Sequence, residues 1–123
     1  MDFESGRLEN IKQAFDVSVD PGYFSIPQPI TYPTDAGQDA HGIYYPPNNK
    51  DFIAPPAERP PLMVICHGGP TSAAGTTLRY AIQYWTSRGF AVLDVNYGGS
   101  TGYGRDYRPV SYTHLTLPTI LLV

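Results

Sequence analysis

A short apolar segment that stops abruptly at two glycines constrains this chain more than any other feature. Residues 61–66 read Pro-Leu-Met-Val-Ile-Cys, and the next four residues are His67, Gly68, Gly69 and Pro70. The apolar run is typical of a buried strand, and glycine has no Cβ to cover the backbone N–H groups beside it. The pattern therefore predicts a strand followed by a loop whose N–H groups a substrate oxygen can approach closely.

Short apolar or β-branched runs predict further strands on both sides of this segment. They cover residues 29–32, 42–45 and 91–97, and a turn is expected at residues 35–37. The intervening residues 48–60 are rich in proline and predict a surface loop.

One amphipathic helix is expected between the strand at 62–66 and the strand at 91–97. Leu78, Ala81, Ile82 and Trp85 have helical spacing, which predicts that this stripe is buried. Thr76 or Thr77 is the expected N-cap, and Gly89 is the expected residue just past the C-terminus. A strand–helix–strand unit makes its two strands parallel. In open α/β sheets ligands bind at the carboxyl ends of such strands.

Composition limits the partners and the compartment. The net charge of −3, without a run of like charges, argues against nucleic acid and anionic membranes as partners. No stretch approaches the roughly 20 apolar residues of a membrane span, and the acidic start Met1–Glu4 is unlike a signal peptide, so a cytoplasmic location is expected. The single cysteine, Cys66, excludes an intrachain disulfide and is expected to be a packed thiol. No cofactor and no metal are expected.

Two joined motifs carry a family resemblance. Residues 67–71 read His-Gly-Gly-Pro-Thr, and residues 96–104 read Asn-Tyr-Gly-Gly-Ser-Thr-Gly-Tyr-Gly. With the strands before them, the stretch from Gln28 to Arg108 resembles the prolyl oligopeptidase family of serine peptidases, near its acylaminoacyl- and dipeptidyl-peptidase-like members. The resemblance implies a β-propeller followed by an α/β-hydrolase domain, which cleaves short peptides by acyl transfer with Ser, Asp and His.

The resemblance also implies a division of the chain. Residues 1–26 would be the end of a propeller and a linker, and residues 27–108 the N-terminal part of an incomplete α/β-hydrolase domain. Residues 109–123 match nothing in the family and are interpreted as a foreign or non-native tail, with a natural strand as the alternative. The chain is therefore expected to be a fragment of a peptidase that is inactive alone, since a complete domain of this kind needs roughly 200 or more residues.

Site residues follow from the resemblance position by position. Gly69, with Gly68 beside it, matches the backbone donor of the oxyanion hole, and His67 and Pro70 match residues that support the loop. None of the catalytic triad is expected in the chain. Ser100 fits the pattern Gly-x-Ser-x-Gly formally, but no apolar helix follows it, so its role as a nucleophile is disfavoured.

Other candidate side chains do not fit the triad either. Ser72 is expected to begin the helix segment, Asp94 is a strand residue, and His41 precedes the loop, out of the Ser–Asp–His order of α/β-hydrolases. His114 lies in the unmatched tail, where it has no nucleophile to serve.

Two alternative functions stay open at this point. One is an esterase or lipase of the same fold, which Pro70 disfavours because many esterases carry another glycine there. The other is a non-catalytic α/β module that holds an anion on the Gly-Gly loop. The sequence leaves the peptide specificity and the oligomeric state undetermined.

Overall fold

The part of the chain that the computed structural model describes is residues 18–34, 37–69 and 71–108. Its regular structure is a short 3₁₀ helix (Pro21–Tyr23), a four-stranded sheet and one α-helix. In chain order the elements are β1 (Gln28–Pro33), β2 (Asp39–Tyr45), β3 (Leu62–Cys66), α1 (Tyr80–Thr86) and β4 (Ala91–Asn96). The four predicted strands are confirmed, two of them with longer bounds than expected, and the α/β class with them.

The order of strands in the sheet is β1-β2-β4-β3. The pairs β1–β2 and β2–β4 are antiparallel, whereas β3 and β4 are parallel, with Leu62 opposite Ala91 and Cys66 opposite Val95. The predicted parallel pairing is therefore confirmed. Because parallel strands end at the same edge of a sheet, the loops after Cys66 and after Asn96 both begin at that edge.

The core lies between α1 and one face of the sheet. Ile43, Tyr45, Ile82 and Val92 are buried together, and Met63, Ile65 and Ala74 pack against them. Complete burial of an aliphatic side chain stabilises a fold by ~1.5–3 kcal/mol. This small cluster is therefore the principal hydrophobic contribution that holds α1 on the sheet.

The predicted buried stripe of the helix is wrong in most positions. Leu78 is 49% exposed and Trp85 is 36% exposed, while the buried residues of α1 are Ile82, Gln83 and Thr86. The Gln83 side chain accepts a hydrogen bond from the Ser25 N–H at 2.7 Å. A polar side chain is buried here because a segment 58 residues away satisfies it, and apolar periodicity does not detect such a contact.

The helix also begins later than predicted, so Thr76 and Thr77 are not its cap. The N-cap residue is Arg79, whose backbone is extended (φ −122°, ψ 108°) and whose side chain makes no capping bond. Arg79 instead donates from Nη1 to the Asp94 carboxylate at 2.6 Å, which ties the start of α1 to β4. The predicted end is confirmed, because Gly89 has φ +87° and donates its N–H to the carbonyl of Thr86.

The segment before β1 packs on the same unit. Ser25 is buried, and its hydroxyl donates to the carbonyl of Pro46 at 2.5 Å. The Asn48 amide donates to the carbonyls of Gly22 at 2.8 Å and Phe24 at 3.0 Å.

The division of the chain at residue 26 stays a prediction. The expected propeller end and the expected foreign tail fall largely on residues 1–17 and 109–123, which lie outside the described residues.

One face of β3 is uncovered by the described elements. Leu62 is 53% exposed, Val64 is 55% exposed, and Cys66, expected to be packed, is exposed as well. The expectation for Cys66 is wrong because its side of β3 is opposite to the side that α1 and residue 74 cover.

No helix among the described residues has the length and apolar content to cross a bilayer.

The uncovered face predicts self-association of the 123-residue chain. Leu62→Lys combined with Val64→Lys should increase the monomeric fraction in solution, since charge on an edge strand opposes pairing between sheets. Phe52→Lys combined with Ile53→Lys is the matched control, because these residues are 78% and 94% exposed in the proline-rich loop. Size-exclusion chromatography with light scattering measures both. An equal increase of the monomeric fraction by both pairs of substitutions would contradict the claim that the uncovered face of β3 causes the self-association.

The ion pair of Arg79 with Asp94 predicts a pH-dependent stability. Asp94 is 2% exposed, and burial raises its pKa above 3.8, while the positive charge of Arg79 opposes the rise. The folded state then holds the Asp94 proton more tightly than the unfolded state, so this group's contribution to stability falls as pH rises from about 4 through the folded pKa.

Arg79→Gln should raise the pKa of Asp94 further, because it removes the neighbouring positive charge. The substitution is made in the variant that carries Leu62→Lys and Val64→Lys. There it should lower the free energy of unfolding by ~1–3 kcal/mol at pH 7, because the buried Asp94 carboxylate loses its partner Arg79. The difference should narrow as the pH falls toward 4, because Asp94 takes up its proton more readily than a free carboxyl does. Urea titrations at several pH values measure it, with the exposed Arg59→Gln as control. A difference that stays constant with pH would contradict the prediction.

Candidate functional site

Two glycine-rich loops lie side by side at the carboxyl edge of β3 and β4. The first glycine loop is residues 67–69, directly after β3, and the second glycine loop is residues 97–104, directly after β4. The N–H of Thr101 donates to the carbonyl of Ser72 at 3.0 Å, which joins the second loop to the chain that follows the first. The parallel strands therefore bring together the two motifs on which the family resemblance depends.

The two glycines of the first loop leave open space around their backbone. A Cβ added to Gly68 or Gly69 would meet no heavy atom within 4 Å. Gly69 has φ +79°, a conformation that residues with a Cβ rarely adopt. Within residues 18–34, 37–69 and 71–108, the N–H groups of Gly68 and Gly69 donate no hydrogen bond.

The carbonyl groups of the first loop all face one side. The single proton of the Tyr97 hydroxyl is shared between the carbonyl oxygens of His67 at 3.0 Å and Gly69 at 3.1 Å. The carbonyl oxygen of Gly68 lies 3.5 Å from His67 Nδ1. In a planar trans peptide the N–H points opposite to the C=O. The N–H groups of Gly68 and Gly69 therefore point away from His67 and Tyr97, on the open side of the loop.

His67 connects the two loops and does not face the open side. Its Nε2 lies 2.8 Å from the hydroxyl oxygen of Ser100, and its ring stacks on Tyr97 with centroids 4.5 Å apart. Ser100 donates its single hydroxyl proton to the carbonyl of Tyr97 at 2.7 Å. His67 therefore carries its proton on Nε2 and donates it to Ser100.

This polarity is opposite to that of a serine nucleophile and its base. A nucleophilic serine gives its proton to the histidine and reaches the substrate, whereas Ser100 has an exposed fraction of 0%. Asp94 does not complete a triad, because its carboxylate bonds Arg79 and no described hydrogen bond joins it to His67. The hydrogen bonds of Ser100, His67 and Asp94 therefore differ from those of a catalytic triad.

The remaining predicted residues lie away from the open side or outside the described ranges. His41 stacks on Tyr103 with centroids 4.1 Å apart and shares a hydrogen bond with Thr31 at 3.0 Å. Ser72 is exposed and contributes only its carbonyl to the contact between the loops. Pro70 and His114 lie outside the described residues.

Asn96 is a supporting residue that sequence reasoning missed. Its side chain accepts from the Ala74 N–H at 2.7 Å and donates to the Tyr103 hydroxyl at 2.8 Å, and the Tyr107 hydroxyl donates to its carbonyl at 2.7 Å. Asn96 is 1% exposed. A buried side-chain amide needs such hydrogen-bond partners. The sequence feature that could have identified Asn96 is an amide residue at the end of an apolar strand, directly before the second loop.

Of the cavities among the described residues, two lie near opposite ends of β3. A cavity of about 290 Å³ adjoins the first glycine loop and is lined by Cys66, His67, Ala74, Arg79 and Asp94 among others. The larger one, about 800 Å³, lies under the proline-rich loop near the starts of β3 and β4, distant from both glycine loops. Among the described residues, no cluster of three or more His, Cys, Asp or Glu side chains is arranged to hold a metal ion.

Comparisons with known proteins agree with the two motifs. The model of the Prolyl oligopeptidase family matches residues 76–116. The acylamino-acid-releasing enzyme of Sus scrofa is 41% identical over 71 residues, which are 58% of this chain and 9% of that enzyme. The chain therefore spans only a small part of the length of this relative.

Solved structures cover more of the chain. The crystal structure of puromycin hydrolase is 46% identical with a TM-score of 0.75, over 88% of this chain and 16% of that one. A puromycin-hydrolyzing peptidase of Mycobacterium tuberculosis is 42% identical with a TM-score of 0.78, over 87% of this chain and 17% of that one. The resemblance seen in the two motifs is confirmed, and the chain belongs to the prolyl oligopeptidase family.

Proposed function

We propose that this chain works in a serine-type peptidase that hydrolyses peptide bonds of short peptides by acyl transfer. Its own contribution is the loop that carries a backbone donor of the oxyanion hole. The observation that carries the proposal is the pair of N–H groups at Gly68 and Gly69, which point to the open side of the first loop and donate to no described group. Their place at the carboxyl end of a parallel strand is where α/β sheets bind ligands.

The chemistry needs such donors at one step. When a serine attacks a peptide carbonyl, the carbonyl oxygen becomes an anion, and preorganised N–H groups stabilise that charge. A histidine takes the serine proton and passes it to the leaving amine, and an aspartate orients the histidine. In this proposal the first glycine loop supplies one donor for the anion, and the N–H of the residue after the serine supplies the other.

In this proposal the serine, aspartate and histidine lie outside the described residues. Ser100 is buried and donates its proton to a carbonyl, which supports its assignment to the scaffold. The proposed protein is cytoplasmic, uses no cofactor, and has a β-propeller before the α/β-hydrolase domain. Residues 1–26 would be the end of that propeller with its linker, and residues 109–123 a foreign tail.

The names of the relatives suggest the first substrates to test. One relative is an acylamino-acid-releasing enzyme, and two solved structures are of proteins that hydrolyse puromycin. An acylaminoacyl p-nitroanilide and puromycin therefore form the first panel, with dipeptidyl p-nitroanilides beside them. An esterase would instead prefer acyl esters over all of these amides.

Substitution of Gly69 tests the oxyanion role in the product of the complete gene. Gly69→Val should lower kcat/KM by roughly 10²–10³, the usual loss when one donor is displaced. The φ of +79° at this position is strained for a residue with a β-branched side chain, so the loop must shift although the space around Gly69 is open. Gly75→Ala is the control, because Gly75 lies in the same connection without a positive φ. Turnover of the Gly69 variant within about threefold of the unaltered protein would show that the loop is only a turn.

Labelling with a fluorophosphonate tests the nucleophile. The 123-residue chain alone should show no labelling and no hydrolysis, because Ser100 is buried and donates its proton to a carbonyl. In the product of the complete gene, Ser100→Ala should retain most of the labelling. If the 123-residue chain is labelled and Ser100→Ala abolishes the signal, Ser100 is the nucleophile and the proposal is wrong. If the complete product neither reacts nor hydrolyses the panel, the anion-binding alternative takes its place.

A further inference from the structure

We propose that Tyr97 is a positioning residue whose hydroxyl holds the N–H groups of Gly68 and Gly69 toward the open side of the first glycine loop. The inference rests on the proposed function, because it assigns a role in the oxyanion hole. It names a side chain of the second glycine loop as the group that sets the geometry of the first.

The contacts of the hydroxyl carry the argument. Tyr97 Oη lies 3.0 Å from the carbonyl oxygen of His67 and 3.1 Å from that of Gly69, so one donor serves both ends of the loop. The His67 carbonyl and the Gly68 N–H belong to the same peptide plane. Holding this carbonyl toward Tyr97 therefore fixes the Gly68 N–H in the opposite direction.

The plane that carries the Gly69 N–H lies between the two held carbonyls. Its own carbonyl, that of Gly68, lies near the His67 ring at 3.5 Å from Nδ1. Two consecutive glycines have the widest backbone freedom of any pair of residues, and the loop has no other described partner for these carbonyls. Without the hydroxyl, the planes would rotate at low cost and the N–H directions would spread.

Tyr97 itself is held firmly. It directly follows β4, its carbonyl accepts from the Ser100 N–H at 2.9 Å and from the Ser100 hydroxyl at 2.7 Å, and its ring stacks on His67 at an interplanar angle of 21°. A rigid donor keeps the two carbonyls, and with them the N–H groups, in place before substrate arrives. Preorganisation of this kind is what makes an oxyanion hole effective.

Tyr97→Phe in the product of the complete gene is the test. The substitution keeps the ring and its stacking on His67 and removes only the hydroxyl. We expect kcat to fall about three- to tenfold, the effect of one neutral hydrogen bond, with KM changed by less than about twofold. The inhibition constant of a peptide aldehyde, whose adduct places an oxyanion in the hole, should rise by the same factor as kcat falls.

Tyr107→Phe is the matched control. The Tyr107 hydroxyl also donates to a backbone carbonyl, that of Asn96 at 2.7 Å, but it makes no described contact with residues 67–69. This variant loses an equivalent hydrogen bond close to the second loop and should keep kcat and the aldehyde inhibition constant. A general loss of stability would affect the two variants alike.

The outcomes separate the inference from the function on which it rests. If the unaltered complete product is inactive on the whole panel and is not labelled, the proposed function fails first. If it is active and the two Phe variants have equal kcat and equal aldehyde inhibition constants, the positioning role of Tyr97 is wrong. The aldehyde constant is independent of the folded fraction, so it decides the question even for a variant obtained in low yield.

Discussion

The parallel pairing of β3 with β4 is the constraint on which the rest of the structure depends. Parallel strands need a crossover, here residues 67–90 with α1, and they end at the same edge of the sheet. Both glycine loops begin at that edge because of this pairing. An antiparallel arrangement would place the loops at opposite edges, and neither the contact of Tyr97 with the first loop nor that of His67 with Ser100 could form.

Local signals in the sequence were sufficient for the strands, their parallel pairing and the position of the first glycine loop. Apolar runs bounded by proline and glycine mark these features, and each signal lies within a few residues of what it determines. The buried face of α1, its start at Tyr80 and the exposure of Cys66 were not predictable in this way. The first two depend on contacts between distant segments, namely the hydrogen bond of Ser25 with Gln83 and the ion pair of Arg79 with Asp94. The exposure of Cys66 results because no described segment covers its face of β3.

Polar side chains fix the loops more than apolar burial does. Ser25, Gln83, Asp94, Asn96 and Ser100 are all buried, and no buried side-chain nitrogen or oxygen among the described residues lacks a partner. Because an unpaired buried polar group costs ~1–3 kcal/mol, Asn96 and Ser100 penalise alternative conformations of the two loops. Ser25 with Gln83 and Asp94 with Arg79 fix the segment before β1 and the start of α1 in the same way. A network of this kind specifies one arrangement of the two loops, whereas the small apolar cluster at Ile82 and Val92 only holds the helix on the sheet.

Exposure of Cys66 gives the chain a built-in attachment point. It is the single cysteine of the 123 residues, it lies exposed at the end of β3, and Gly68 is only two positions further along. A maleimide-linked fluorophore or spin label would therefore react at one position without any cysteine having to be removed. Its rotational freedom would report on order or motion of the neighbouring backbone, so the loop can be followed by spectroscopy in the unaltered sequence.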